Sequence, residues 1–227
     1  MKSAVFETRL ALPSLGPSLF EQTYSAVLEA ICDGAVPAGA KINQDELAAR
    51  LGISRQPLTQ ALSVLRTQGF VRDAGRRGLI VSPLQRDFFI ALYQLRESLD
   101  PMAARLAAQQ HTPASLRSGR KLLKDGRRAI GSDSLASMSN ADMGFHVWIY
   151  ETAGNPLLTD TMRLYWHHLR RAMTLVLGPS EDRELVWDEH EAIFDAIADG
   201  DDARAAERAQ QHLRDAAQRV IGRLPDK

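Results

Sequence analysis

Two short helical stripes separated by Gly52-Ile53-Ser54 constrain this chain more than any other feature. Asn43 is a good N-cap, Glu46 three residues on fits a capping box, and Leu47, Ala48 and Leu51 share a face behind them. Gly52 supplies the residue that ends such a helix in the left-handed region. Ser54 can cap the next helix, where Leu58, Ala61, Leu62 and Leu65 fall at i, i+3, i+4 and i+7. Pro57 stands at the third helical position, where its missing N–H has no intrahelical partner to lose. Two helices across so tight a turn make a helix-turn-helix.

The flanks extend that unit. Ahead of it, Phe20, Tyr24, Val27, Leu28 and Ile31 trace one helical face that Gly34, Pro37 and Gly39 end, preceded by a flexible arm over residues 1–17. Behind it, Phe70-Val71 and Leu79-Ile80-Val81 flank the turn Asp73-Ala74-Gly75-Arg76-Arg77-Gly78 and read as a β-hairpin. Ser82-Pro83 breaks the chain, placing a domain boundary between residues 83 and 84. Beyond it no strand pattern is found. The segments 86–110, 113–130, 133–153, 156–177, 181–199 and 202–222 are helical in composition and separated by breakers such as Thr112-Pro113 and Gly178-Pro179-Ser180. The fold class expected is mainly α: a winged helix-turn-helix of three helices and a β-hairpin wing, joined to a six-helix antiparallel bundle.

Charge narrows the partners. The chain carries 28 Lys/Arg and 28 Asp/Glu, so it is not a general polycation. Yet residues 50–77 hold Arg50, Arg55, Arg66, Arg72, Arg76 and Arg77 against Asp73 alone. In a helix-turn-helix the second helix lies in the major groove with its N-terminal residues toward base edges. Here those are Ser54, Arg55, Gln56 and Thr59. Arginine can donate twice to guanine and glutamine can pair with adenine, while Arg76 and Arg77 at a hairpin tip suit phosphates or a minor groove. A single cysteine, Cys32, excludes an intramolecular disulfide and reads as a small buried residue at a helix end. With no apolar run approaching ~20 residues and no hydrophobic signal core, a soluble, cytoplasmic chain is expected.

In the helical half, Met138, Asp142, Phe145 and Ile149 share a stripe, with His146 one turn beyond Asp142. His190 lies on the stripe of Val186, Ile193 and Ile197, and His212 on that of Ala205, Ala209 and Ala216. One such histidine is ordinarily a core residue satisfied by a hydrogen bond. Four ionisable groups facing one core from three helices are better satisfied around a divalent ion, with zinc, nickel, manganese and iron all compatible. His167 and His168 are adjacent and cannot both face the bundle interior; with His111 they read as structural or exposed, one of the pair a pocket wall at most. Trp148, Trp166 and Trp187 read as core filling.

The run PAGAKINQDELAARLGISRQPLTQALSVLRTQGFVRDAGRRGLIVSP resembles the winged-helix domain of GntR-type bacterial regulators, over roughly residues 18–83. The resemblance implies DNA contacts from Ser54, Arg55 and Gln56 and from the wing residues Arg76, Arg77 and Gly78. Thr59 and Gln60 stand where the family often has arginine and glutamate. NADMGFHVWIYETAGNPLL followed by DEHEAIFDAIADGDDARAAERAQQHL is similar to the FCD effector domain of the FadR branch, over about residues 87–222. That likeness implies a metal held by Asp142, His146, His190 and His212. LYQLRESLDPMAARLAA matches as well, with Asp100 for a usual glutamate, and Arg96 is the position expected to grip an anionic effector. The function implied is a homodimeric regulator, a repressor in the expected sense, that binds double-stranded operator DNA and responds to a small carboxylate. Two rivals stand beside it: a regulator for which the ion is the signal, and a metal-dependent hydrolase using the same four residues.

Overall fold

The computed structural model describes residues 16–132, 134–177 and 181–224. Its elements run α1 (Leu19–Cys32), α2 (Gln44–Leu51), α3 (Arg55–Thr67), β1 (Val71–Asp73) and β2 (Leu79–Val81), then α4 (Arg86–Gln110), α5 (Pro113–Ile130), α6 (Leu135–Thr152), α7 (Pro156–Leu177), α8 (Glu181–Ala198) and α9 (Asp202–Arg223). Most of the expected N-terminal arm, up to residue 15, and the breaker at 178–180 lie outside the described residues.

The turn chemistry sets the N-terminal unit. Asn43 Oδ1 accepts from the N–H groups of Asp45 and Glu46, and Gly52 closes α2 at φ 66°. The reciprocal half of the expected capping box does not form, because the Glu46 carboxylate accepts from Arg50 Nη2 at 2.7 Å one turn on. Leu58, Leu62 and Leu65 are buried in one cluster with Val27, Leu28, Ile31 and Phe70, and Ala61 is buried as well. The hairpin pairs Val71 with Val81 and Asp73 with Leu79, and its tip is a 3-10 turn over Gly75–Arg77. A further segment joins this sheet: Gly39 N–H donates to Val81 O, Val81 N–H to Ala40 O and Ile42 N–H to Leu79 O, each at 2.9 Å. Pro37 and Gly39 mask that bridging segment in the sequence by reading only as helix breakers, although Ile42 is buried.

In the helical half, α4 runs along α9 and also meets α6 and α8, α5 packs between α6 and α8, and α7 lies on α6 and α9. The core is aromatic as well as aliphatic, with Phe89, Phe145, Trp148, Tyr150, Trp187 and Phe194 buried. No helix among the described residues is long and apolar enough to cross a membrane.

α7 is also the strut against which the N-terminal unit rests. The His168 ring stacks on Phe70 at 4.0 Å and its Nε2–H donates to the Gln68 carbonyl at 3.0 Å. Arg171 Nη2 donates to Ser82 O at 2.6 Å, the Cys32 thiol to His167 O at 3.6 Å, and Arg170 pairs with Glu29 and Asp33. A cleft of about 350 Å³ remains between the halves, with Gln68, Phe88, His168 and Arg171 in its walls.

Candidate functional site

Helical periodicity brings the three histidines of the sequence analysis to one point. His146 of α6, His190 of α8 and His212 of α9 offer ring nitrogens that all lie within 4.8 Å of one another, and all three are buried. His146 Nε2 and His212 Nε2 are 3.4 Å apart. Asp142, one turn before His146, stands beside this trio with Oδ1 3.6 Å from His190 Nε2. The aromatic core fixes the rings: Phe145 and Trp187 lie 4.4 and 4.8 Å from His190, and Trp166 stacks on His146 at 5.6 Å. Trp166 therefore walls the site as well as filling the core.

The second layer was not foreseen. Glu189 accepts from His212 Nδ1 at 2.7 Å and from Arg219 Nη2 at 2.8 and 2.7 Å. A carboxylate can only accept, so the bond to Glu189 puts a proton on His212 Nδ1 and directs Nε2 toward His146. A proton or a cation between His212 Nε2 and His146 Nε2 satisfies both. The available signals were the neighbour relation of Glu189 to His190 and the seven-residue spacing of Arg219 from His212, neither of which marks a pair across two helices.

Electrostatics favour neutral rings at His146 and His190. Burial, reinforced by positive neighbours including Arg96, holds His146 and His190 well below the usual histidine range. Burial pushes Asp142 up to about 6, against the pull of His212 and Arg96. Glu189 is lowered because its bonds to His212 and Arg219 outweigh the cost of burial. The sharpest feature is His190: it is 0% exposed, and neither ring nitrogen has a hydrogen-bond partner. Burying such atoms unpaired costs about 1–3 kcal/mol each. Nitrogen lone pairs with a carboxylate alongside are a donor set that a divalent transition ion satisfies.

Beside the histidines is a cavity of about 20 Å³ walled by Asp142, His146, His212 and three arginines, Arg96, Arg170 and Arg219. Arg96 is buried and gives Nε and Nη2 to Asp100 Oδ2 at 3.1 and 2.6 Å, while Tyr150 donates to the other oxygen of Asp100. The residue expected to meet an effector thus already holds a carboxylate of its own helix. The remaining histidines sit apart: His111 Nδ1 is 3.0 Å from Ala108 O at the end of α4, and His168 faces the N-terminal unit.

At the other end, Ser54, Arg55, Gln56 and Thr59 are exposed on the first turns of α3. Ser54 occupies the N-cap without a side-chain cap bond. Arg55 Nη1 is 3.2 Å from Asp45 Oδ1, and Thr59 Oγ1 donates to Gln44 Oε1 at 3.3 Å. Arg76 and Gly78 are exposed on the wing, Gly78 at φ 72°; the Arg77 side chain lies outside the described part.

Comparison with known proteins agrees with both halves. Residues 19–81 match the family described as bacterial regulatory proteins, gntR family, and residues 91–215 match the FCD domain. The chain is 30% identical to the Nta operon transcriptional regulator of Aminobacter aminovorans, over 77% of this chain and 81% of that one. It is 25% identical to the HTH-type transcriptional repressor RspR of Escherichia coli K12, over 88% of each. In fold it is similar to a putative transcriptional regulator GntR from Rhodococcus sp. RHA1, with a TM-score of 0.80 and 20% identity over 91% of this chain and 99% of that one. The hydrolase reading falls here, since these families and relatives are regulators. The chain belongs to the gntR family of bacterial regulatory proteins, as a transcriptional regulator with a winged helix-turn-helix before an FCD domain.

Proposed function

We propose that this regulator acts in the cytoplasm as a homodimeric repressor, and that a small carboxylate bound beside a divalent metal controls its hold on operator DNA. The division of labour falls at residues 83 and 84. Residues 1–83 read DNA through Ser54, Arg55, Gln56 and Thr59 on α3 and through Arg76, Arg77 and Gly78 on the wing. Residues 84–227 bind the effector and dimerise. His146, His190, His212 and Asp142 would hold the ion, which would supply a Lewis-acidic anchor for an oxygen ligand. Glu189 orients His212 for that role, and Arg96 lends positive charge to the effector's side of the cavity.

The observation that carries this reading is His190, fully buried with neither ring nitrogen hydrogen-bonded and packed against His146 and His212, which together with Asp142 line a cavity whose wall also includes Arg96, Arg170 and Arg219. The relative RspR is a repressor by name, which supports the sense of regulation. One observation favours a second reading, in which the ion itself is the signal: about 20 Å³ is room for little more than one water, so a carboxylate requires the cavity to open. A gel-shift titration with tag-free protein separates the two. Release from DNA on adding zinc or manganese alone supports the ion as signal; release only when a carboxylate is also present supports the effector.

A further inference from the structure

Arg170 belongs to two places at once. It is 5% exposed and walls the cavity beside the histidines, yet its Nη2 reaches out of the helical half to Glu29 Oε2 at 2.7 Å and to Asp33, both on or at the end of α1. Its Nε is buried and has no hydrogen-bond partner. Nε and Nη2 lie on the same edge of a guanidinium, the edge Asp100 grips on Arg96. On Arg170 half of that edge is spent on the DNA-reading unit and the other half is empty.

We infer that Arg170 is a ligand-contact residue that relays occupancy of the cavity to the winged helix-turn-helix: a small carboxylate takes the Nε–Nη2 edge and competes with Glu29 and Asp33 for Nη2. This rests on the effector reading above. Several observations converge on an anion. Arg219, also in the cavity wall, has a buried Nε without a hydrogen-bond partner, so two arginines of one wall each keep an unused guanidinium donor. The carboxylates to be displaced are cheap to release, because Glu29 and Asp33 are 49% and 40% exposed and water can take over from Arg170. Ser139 Oγ, three residues before Asp142 on α6, donates to the Arg170 carbonyl at 3.4 Å, so the backbone of Arg170 is tied to the site while its side chain is tied to α1. Ligand binding would then loosen α1 from α7, and by linkage loosening α1 must tighten ligand binding.

The test uses full-length, zinc-loaded protein with malonate as probe, calorimetry for affinity, and hydrogen exchange of residues 19–33 for the docking of α1. In the wild type, malonate should speed exchange near Glu29. In Glu29→Gln/Asp33→Asn, malonate should bind about fivefold more tightly, and exchange of α1 should be fast already and indifferent to malonate. Asp45→Asn/Glu46→Gln removes the same charge elsewhere on the DNA-reading unit and should leave affinity unchanged. Arg170→Lys keeps the charge but not the edge and should bind about tenfold more weakly. Malonate binding with α1 exchange unmoved, or an equal gain in both double variants, overturns the relay alone. Absence of malonate binding to both the wild type and Glu29→Gln/Asp33→Asn overturns the effector reading and the relay with it.

Discussion

The proposed DNA contacts assign different work to different arginines, and Arg55 is the first test. It is exposed at the first position of α3, and its partner Asp45 is exposed too, so releasing Arg55 from that pair into a groove costs about 1 kcal/mol or less. Arg55→Ala should weaken operator binding by about 1–3 kcal/mol and relax preference at one position per half-site. Arg76→Ala on the wing should instead weaken all duplexes alike and flatten the salt dependence. Competition titrations with operator and random DNA decide the assignment: equal loss on both by the Arg55 variant would remove it from base readout. At this scale the sequence revealed residues whose meeting follows from helical spacing. Asp142, His146, His190 and His212 converge because each lies on a core stripe. Glu189 and Arg170 stayed hidden, because their meaning depends on partners in other helices and on which guanidinium atom is left unpaired.

Elements were more legible than contacts. The six long helices fall close to the expected segments, since Pro, Gly and caps mark their ends, whereas the bridge that Gly39–Ile42 makes to β2 was lost behind its breakers. Close approaches between elements carry no such marks. Gly126 on α5 lies under Trp187 of α8, and a Cβ there would meet the indole at 2.0 Å. Trp187 is buried and cannot step aside, so Gly126→Ala should destabilise the protein by about 1–3 kcal/mol in denaturant titration. It should also disturb His190, which Trp187 abuts. The seat of α1–β2 on α7 has its own signature. Burial holds His168 down at about 4, against the donor bond to Gln68 and with Arg171 and His167 nearby. A folded pKa below the unfolded value near 6.5 means that the unfolded chain binds the proton first. The stability of the neutral, stacked ring is present above pH 6.5 and lost as pH falls toward 4. Wild type should therefore lose more thermal stability between pH 7 and 5 than His168→Gln, and parallel curves would show that His168 stays out of that titration.

At the scale of the whole molecule, the two hydrophobic clusters meet through α7, so an event in the helical half has a short path to α3. That path yields control only if DNA binding itself depends on how two reading heads are spaced. One recognition helix reads a few base pairs, and a two-fold dimer doubles the site with the same residues. The proposed dimer is expected in sedimentation at micromolar concentration, and a monomer that still binds a palindromic site tightly would contradict it. Spacing also separates metal loss from DNA loss. His190→Ala/His212→Ala removes two of the three clustered imidazoles but touches neither α3 nor the wing. Metal analysis of tag-free protein should find the double variant empty, its operator affinity close to wild type, and its response to carboxylate gone. Full metal occupancy in that variant would eliminate the site, whereas an empty site with the response intact would place the effector somewhere other than beside the histidines.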